Sequence, residues 1–328
     1  MIELPFPEIM QAVRAAAQRS GQPVHLVGGS VRDLLLGRPI HDLDFALPGR
    51  GLSVARRTAD VLGGAFFALD TARDTGRVLL DLPDEKRLVL DFSAYRGADL
   101  ESDLRDRDFT LNAIAINLDD PQAAIDPTGG VQDARQGILR ACAPTALAND
   151  PLRILRAVRL SCDLQLRIEP DTRRQIRATL PRLEDVSPER LRDELFKMLD
   201  GPRPALALRT LEALGALSFV LPELAAERGV LQSPPHIYDV YEHSLHVAAW
   251  LLRILKVLRA EYDPQAAANW TMGLVSVRLG RYRRQLAEHL AEQLNPERSL
   301  QALLLLAALY HDVGKPGTRS VDDSGRIR

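Results

Sequence analysis

Cysteine is scarce in this chain. Cys142 and Cys162 are the only two among 328 residues, too few for a disulfide framework or a thiolate zinc site. Long apolar runs are missing as well. The longest covers nine residues, 302–310, against the roughly 20 that a membrane-crossing helix needs. The first residues carry no basic start followed by an apolar stretch, so no secretory leader is expected. Neither sign of charge dominates: 42 Lys and Arg face 44 Asp and Glu, a formal charge of −2. That excludes a uniformly basic nucleic-acid-coating protein and leaves local patches open. These absences point to a soluble cytoplasmic protein with no membrane contact. At about 150 residues per domain the length suggests roughly two domains.

What is present changes character near residue 140. Before it, short β-branched or apolar runs at 25–27, 43–47, 77–80, 88–92 and 113–118 alternate with Gly, Pro and Asp. These read as strands, with helical pieces at 7–18 and 31–36 between them. After residue 150 the apolar positions recur at three- and four-residue steps, as in Leu152, Leu155, Val158 and Cys162. The same period returns over 191–199, 206–217 and 245–258, which predicts a helical second half. Residues 229–237, with Ser233-Pro234-Pro235, read as a linker.

The most informative stretch runs from Leu26 to Phe45. An apolar strand leads into Gly28-Gly29-Ser30 and then into a helix, where glycines admit close approach of a ligand and helix-start N–H groups favour phosphate. Asp42 and Asp44 follow, separated by Leu43. Residues two apart on a strand share a face, so both carboxylates point to one place. Carboxylates that close repel unless a cation lies between them, and Mg²⁺ takes all-oxygen ligands completed by water and phosphate. A turn followed by a solvent-facing Asp-x-Asp explains each half separately.

Taken together, Gly28-Gly29-x-Val31-Arg32-Asp33 and Asp42-x-Asp44 resemble motif A of class II tRNA nucleotidyltransferases and bacterial poly(A) polymerases. The resemblance implies an α+β fold: a polymerase-β-like nucleotidyltransferase head with a mixed sheet over 1–140, an all-helical neck and body over 141–230, and an HD-like helical region over 231–328. It implies two Mg²⁺ ions on Asp42 and Asp44, with Gly28, Gly29 and Arg32 near the phosphates. Asp91, in Leu88-Val89-Leu90-Asp91-Phe92, fits the third acid of the wider superfamily. An edge-strand aspartate accounts for it equally well.

Arg107-Asp108-Phe109-Thr110-x-Asn112-Ala113 is similar to motif B, which implies that Arg107 and Asp108 recognise the ribose and that Asn112 belongs to the nucleotide site. Asp106 stands where the family usually has Arg. Asp126-Pro127-x-Gly129-Gly130-x-x-Asp133 resembles motif C, a hinge between head and neck. Asp150-Pro151 reads as a helix start, and Asn149-Asp150-x-x-Arg153 resembles motif D. Asp150 accepting from an exocyclic amino group while Arg153 donates to a ring nitrogen suits cytosine and adenine and leaves both groups unpaired on guanine or uracil. Arg153, Arg156 and Arg159 repeat on one helix, and residues 151–182 carry eight arginines against three acids. A solvated basic face is one reading, a triphosphate and RNA-backbone surface the other. Ser187-Pro188-Glu189-Arg190 and Glu194 resemble motif E, with orienting roles.

Only 97–102 separate the strand bearing Asp91 and its Tyr95-Arg96 end from Asp103. Full CCA-adding enzymes carry a long flexible loop there, so the short connection resembles CC-adding enzymes, which leave adenosine to a separate A-adding partner. The implied partners are the tRNA 3′ end, CTP and, in a full CCA-adding or poly(A)-polymerase reading, ATP; an inactive tRNA-binding protein is the non-enzyme alternative. Finally, His243 in Glu242-His243-Ser244-Leu245-His246, together with His311-Asp312-Val313-Gly314-Lys315-Pro316, resembles the opening pieces of an HD phosphohydrolase domain. That implies a further divalent metal on His243, His311 and Asp312, with a later ligand aspartate that has no assured counterpart before Arg328.

Overall fold

The computed structural model describes residues 2–82, 87–295, 298–318 and 320. It divides into two compact units: Met1–Asp150 with Leu166–Gln175, and Pro151–Gln165 with Ile176–Arg328.

The first unit is built on a sheet. Helix α1 (Pro7–Arg19) starts on a proline and puts Ile9, Met10, Val13, Ala16 and Ala17 on one buried face. Strand β1 (His25–Val27) passes through Gly28 into α2 (Gly29–Leu35). Then come β2 (Asp42–Leu47), α3 (Gly51–Leu62), β3 (Ala65–Asp70), β4 (Thr75–Asp81) and β5 (Arg87–Ala94). Helix α4 (Leu100–Arg105), β6 (Ala115–Asn117), β7 (Ala124–Ile125) and α5 (Gly130–Gln136) complete the main body, with β8 (Ile138–Leu139) and α6 (Ala146–Asn149) after it. The seven strands lie in the order β3-β4-β5-β2-β1-β6-β7. The β2–β5 pair is parallel and its neighbours are antiparallel.

Alternation along the strands gives the sheet two different faces. Leu43, Phe45 and Leu47 of β2, Leu88, Leu90 and Phe92 of β5, and Val78 and Leu80 of β4 join the apolar faces of α1 and α3 in one core. Phe45 and Phe92 stack there with ring centroids 4.9 Å apart. The residues between them, Asp42, Asp44, Asp91 and Arg77, therefore fall on the other face. Val27, Ala46, Leu104, Ala113 and Ala115 form a second, smaller cluster. The strand expectations at 25–27, 43–47, 77–80 and 88–92 all fall inside observed strands, while 113–118 shortens to Ala115–Asn117 because Thr110–Asn112 is a 3₁₀ turn. Strand β3 escapes a period-2 reading because it is a sheet edge, with Phe67 and Leu69 left half exposed.

The second unit is helical. Helix α7 (Arg153–Asp163) precedes the short β9 (Arg167–Ile168) and α8 (Pro170–Thr179), whose residues up to Gln175 belong to the first unit, and α9 (Pro188–Asp200) and α10 (Pro204–Leu214) follow. The run expected to be one helix over 206–217 breaks at Gly215, whose φ of +82° is left-handed, and resumes as α11 (Leu217–Val220) and α12 (Pro222–Ala226). No regular element occupies 229–237. Helix α13 (Val240–Val257) begins with the Asp239 carboxylate accepting from the Glu242 N–H. Helices α14 (Trp270–Leu279), α15 (Arg283–Ala291) and α16 (Leu300–Tyr310) follow, α16 capped by the Ser299 hydroxyl. Residues 321–328, the end of the expected HD-like region, lie outside the described residues. Among those described, no helix is long and apolar enough to cross a membrane.

Candidate active site

The glycine turn and the two aspartates meet at the end of β1. Val27 pairs with Asp44 across β1 and β2. The next residue, Gly28, adopts φ 73° and ψ −140°, a conformation that side chains resist. A Cβ at Gly28 would lie 3.1 Å from Asp44 Oδ2 and 3.2 Å from Arg107 Nη1. Gly28 thus leaves space that lets the Asp44 carboxylate and the Arg107 guanidinium approach the same point. Ser30, the first turn of α2, accepts the Asp44 N–H through Oγ at 2.9 Å, which ties the turn to β2. Asp42 is exposed and Asp44 half-buried, so hard carboxylate oxygens line an open face. This donor set fits Mg²⁺, which keeps several waters and binds through one or two carboxylates plus phosphate oxygens.

The motif B residues are held from below. Asp103, 3% exposed, accepts from Arg107 Nε and Nη2 at 3.2 and 3.0 Å and from the Arg96 N–H at 3.0 Å. Arg107 lies just beyond the end of α4 (Leu100–Arg105), where the chain turns it back onto Asp103. Arg32 forks onto Asp33 at 2.9 and 2.7 Å and donates to Asn112 Oδ1 at 2.8 Å. Asn112 in turn donates to Asp108 Oδ1 at 3.0 Å. Arg32, Asn112 and Asp108, taken from two separate motifs, are thereby one chain of contacts. Beside it, Tyr95 Oη lies 3.0 Å from His25 Nδ1. Burial, reinforced by the Asp103 charge, pushes the Tyr95 phenol up to about 12, and burial lowers the His25 imidazole.

The motif C residues brace this layer. Asp126 accepts the N–H groups of Gly130 and Val131 at 2.8 and 2.9 Å. Gly130 packs so tightly on the Thr110 carbonyl that a Cβ would lie 1.9 Å from it. Asp133 accepts from Thr110 Oγ1 at 2.8 Å and from Arg140 Nε at 3.0 Å. The connection over 97–102 is fully structured. Asp99 and Ser102 cap α4 reciprocally, and Gly97 sits where a Cβ would meet the Ser102 side chain.

Asp91 stands in register with Asp44 on the parallel neighbour strand, and its carboxylate is gripped by Arg77, a residue the sequence reading passed over. In the second unit, the motif D helix begins two residues later than its Asp150-Pro151 signal. Pro151 and Leu152 form a turn whose carbonyls accept from the Ile154 and Leu155 N–H groups, and regular helix starts at Arg153. Asp150 itself is extended, and belongs to the first unit. Arg153 is buried and Arg156 half-buried. Arg159 donates to the buried Glu194 at 2.6 Å and lies 4.0 Å from Asp163.

A separate cluster forms where α13 meets the end of α16. One ligand atom each from His243, His311 and Asp312 falls within 4.8 Å of the others. Lys315 Nζ contacts Asp312 Oδ2 at 2.7 Å, and His311 Nε2 lies 3.1 Å from the same oxygen. Burial, then the neighbouring His311, holds His243 below its usual value, which favours the neutral imidazole that metals require. Nearby, Glu227 is fully buried, accepts from Ser244 Oγ at 2.8 Å, and is raised chiefly by that burial.

Two family models match the chain. Residues 24–140 match the poly(A) polymerase head domain, and residues 165–228 match the probable RNA- and SrmB-binding site of polymerase A. A CC-adding tRNA nucleotidyltransferase of Geobacter sulfurreducens is 39% identical over 61% of this chain and 45% of its own length. An A-adding tRNA nucleotidyltransferase of Deinococcus radiodurans is 36% identical over 92% of this chain and 59% of its own. The chain thus spans less than two thirds of either relative. The solved Thermotoga maritima CCA-adding enzyme complexed with tRNA shares the fold, with a TM-score of 0.61 at 23% identity over 95% of this chain and 83% of that one.

Gly28→Ala is expected to weaken nucleoside triphosphate binding by about tenfold or more, since the new methyl displaces Asp44 or Arg107. The strained backbone should cost about 1–3 kcal/mol in denaturant unfolding. Unchanged affinity by calorimetric titration would show that the turn does not shape the nucleotide site.

Proposed function

We propose, from the premise that the chain belongs to the poly(A) polymerase and tRNA nucleotidyltransferase family, that it extends the 3′ end of tRNA without a nucleic-acid template, using CTP and stopping after two cytidines. The observation that carries this reading is the convergence of Asp42 and Asp44 on one strand face beside Gly28 and Arg107.

Two Mg²⁺ ions held by Asp42 and Asp44 would supply Lewis-acid chemistry, easing loss of the primer 3′-hydroxyl proton and neutralising the leaving pyrophosphate. The new bond joins the 3′ oxygen to the α-phosphorus, and the bridging bond to the β-phosphate breaks. Gly28 and Gly29 give the triphosphate room. Arg32 is already anchored by Asp33 and Asn112, so it meets a phosphate at little further ordering cost. Arg107 and Asp108 address the ribose, a guanidinium donating and a carboxylate accepting from hydroxyls. Resemblance to motif D assigns base choice to Asp150 and Arg153, an acceptor and a donor that would complement cytosine and adenine alike. The arginines of α7 add positive charge for phosphate, although Arg159 is committed to Glu194.

Because C and A present the same donor–acceptor order, the end point depends on motion rather than on recognition alone. The capped connection at 97–102 supports an enzyme that stops at CC and hands its product to a separate A-adding enzyme. Likeness to an A-adding relative supports the other end point, in which the chain itself accepts ATP.

A second reading concerns His243, His311 and Asp312. Their mixed nitrogen and oxygen donors within one small volume support a divalent metal site of HD type with phosphohydrolase activity.

Purified protein given tRNA lacking its terminus, with CTP and ATP supplied separately and together, is expected to add two cytidines and then halt. Extension to a full CCA end would replace the CC-only reading. Asp42→Ala or Asp44→Ala should abolish incorporation with the unfolding transition retained, and turnover near that of the parent would remove both from the metal site. For the second reading, His311→Ala should abolish phosphate release from a cyclic or terminal phosphate; release unchanged by the substitution would reject it.

A further inference from the structure

Arg77 takes no part in the chemistry described so far, yet it ends a row of residues that contains the metal-binding face. Val27 pairs with Asp44, Asp44 with Asp91, and Asp91 with Arg77, across β1, β2, β5 and β4. Residues directly opposite on neighbouring strands share a face. Asp91 therefore has a carboxylate neighbour on one side and a guanidinium on the other. It is committed to the guanidinium: Arg77 Nε reaches Oδ1 and Nη2 reaches Oδ2, each at 2.8 Å. This two-pronged contact uses both oxygens and fixes the plane and direction of the carboxylate. Arg77 is 39% and Asp91 29% exposed, so the pair contributes little to stability. Its effect is geometric. It ties the third carboxylate of the row to a guanidinium, which offsets a charge that would otherwise add to the repulsion between Asp42 and Asp44.

We infer that Arg77 is a positioning residue that withholds Asp91 from the cation site, leaving Asp42 and Asp44 as its ligands. Asp91 becomes available to a divalent ion only when the guanidinium is removed. The inference rests on the nucleotidyltransferase reading of Asp42 and Asp44. It differs from the superfamily expectation that the third acid joins the other two.

Mn²⁺ serves as the probe, its free ion counted by electron paramagnetic resonance without nucleotide. Arg77→Ala is expected to bind Mn²⁺ roughly two- to fivefold more tightly than the parent. Asp91→Asn should leave Mn²⁺ affinity at the parent value while Arg77 is present. In Arg77→Ala/Asp91→Asn the gain should vanish. Arg77→Lys, a point charge that cannot fork onto two oxygens, should fall between parent and Arg77→Ala. Thermal unfolding of each variant controls for the fold. Equal or weaker Mn²⁺ binding by Arg77→Ala would overturn the inference, as would weakened binding by Asp91→Asn alone. Asp44→Ala separates the two layers: if it still incorporates cytidine, the reading of the site fails whatever Arg77 does.

Discussion

The site depends on two like charges held on one face of a strand. Asp42 and Asp44 would separate if the chain were free to let them. They stay together because Leu43, Phe45 and Leu47, interleaved with them, are buried under α1 and α3. A slip of one residue in β2 would bury both carboxylates and expose three large apolar side chains. The hydrophobic core thus sets the register, and the register sets the distance over which the carboxylates repel. A bound cation, rather than a rearranged strand, is the relief available to them.

Around that constraint the unit distributes positive charge in a graded way. Arg107 and the Asp44 carboxylate both border the space left by Gly28, and Arg107 is itself anchored to the buried Asp103. Arg32 is tethered to Asp33 and Asn112, and Arg77 to Asp91. Each guanidinium near the site therefore has an acid of its own. Such pairing orients side chains before a ligand arrives, which is where preorganised electrostatics gains its effect.

Much of this was legible in the sequence. The strand–glycine–helix turn, the Asp-x-Asp alternation and the motif B residues all lie where their spacing places them, because each is specified by local geometry. Arg77 was passed over for a different reason. Its meaning comes from the register between β4 and β5, a pairing over fourteen residues of separation that no local pattern encodes. The break at Gly215 was hidden because a left-handed glycine does not interrupt the apolar period until the backbone turns there. Similarly, Arg159 reads as one of three solvated arginines until α9 brings Glu194 against it. Interactions between elements, not within them, account for what the sequence withheld.

If relief of carboxylate repulsion is the organising principle, ligand binding and stability must be linked through Asp42 and Asp44. Thermal unfolding of the parent and of Asp42→Asn/Asp44→Asn, each with and without Mg²⁺ and CTP, tests this most directly. Mg²⁺ with CTP should raise the unfolding midpoint of the parent and leave the double variant where it was, while the variant alone should unfold no earlier than the unliganded parent. Equal stabilisation of both proteins by Mg²⁺ and CTP would contradict the principle and move the cation site elsewhere.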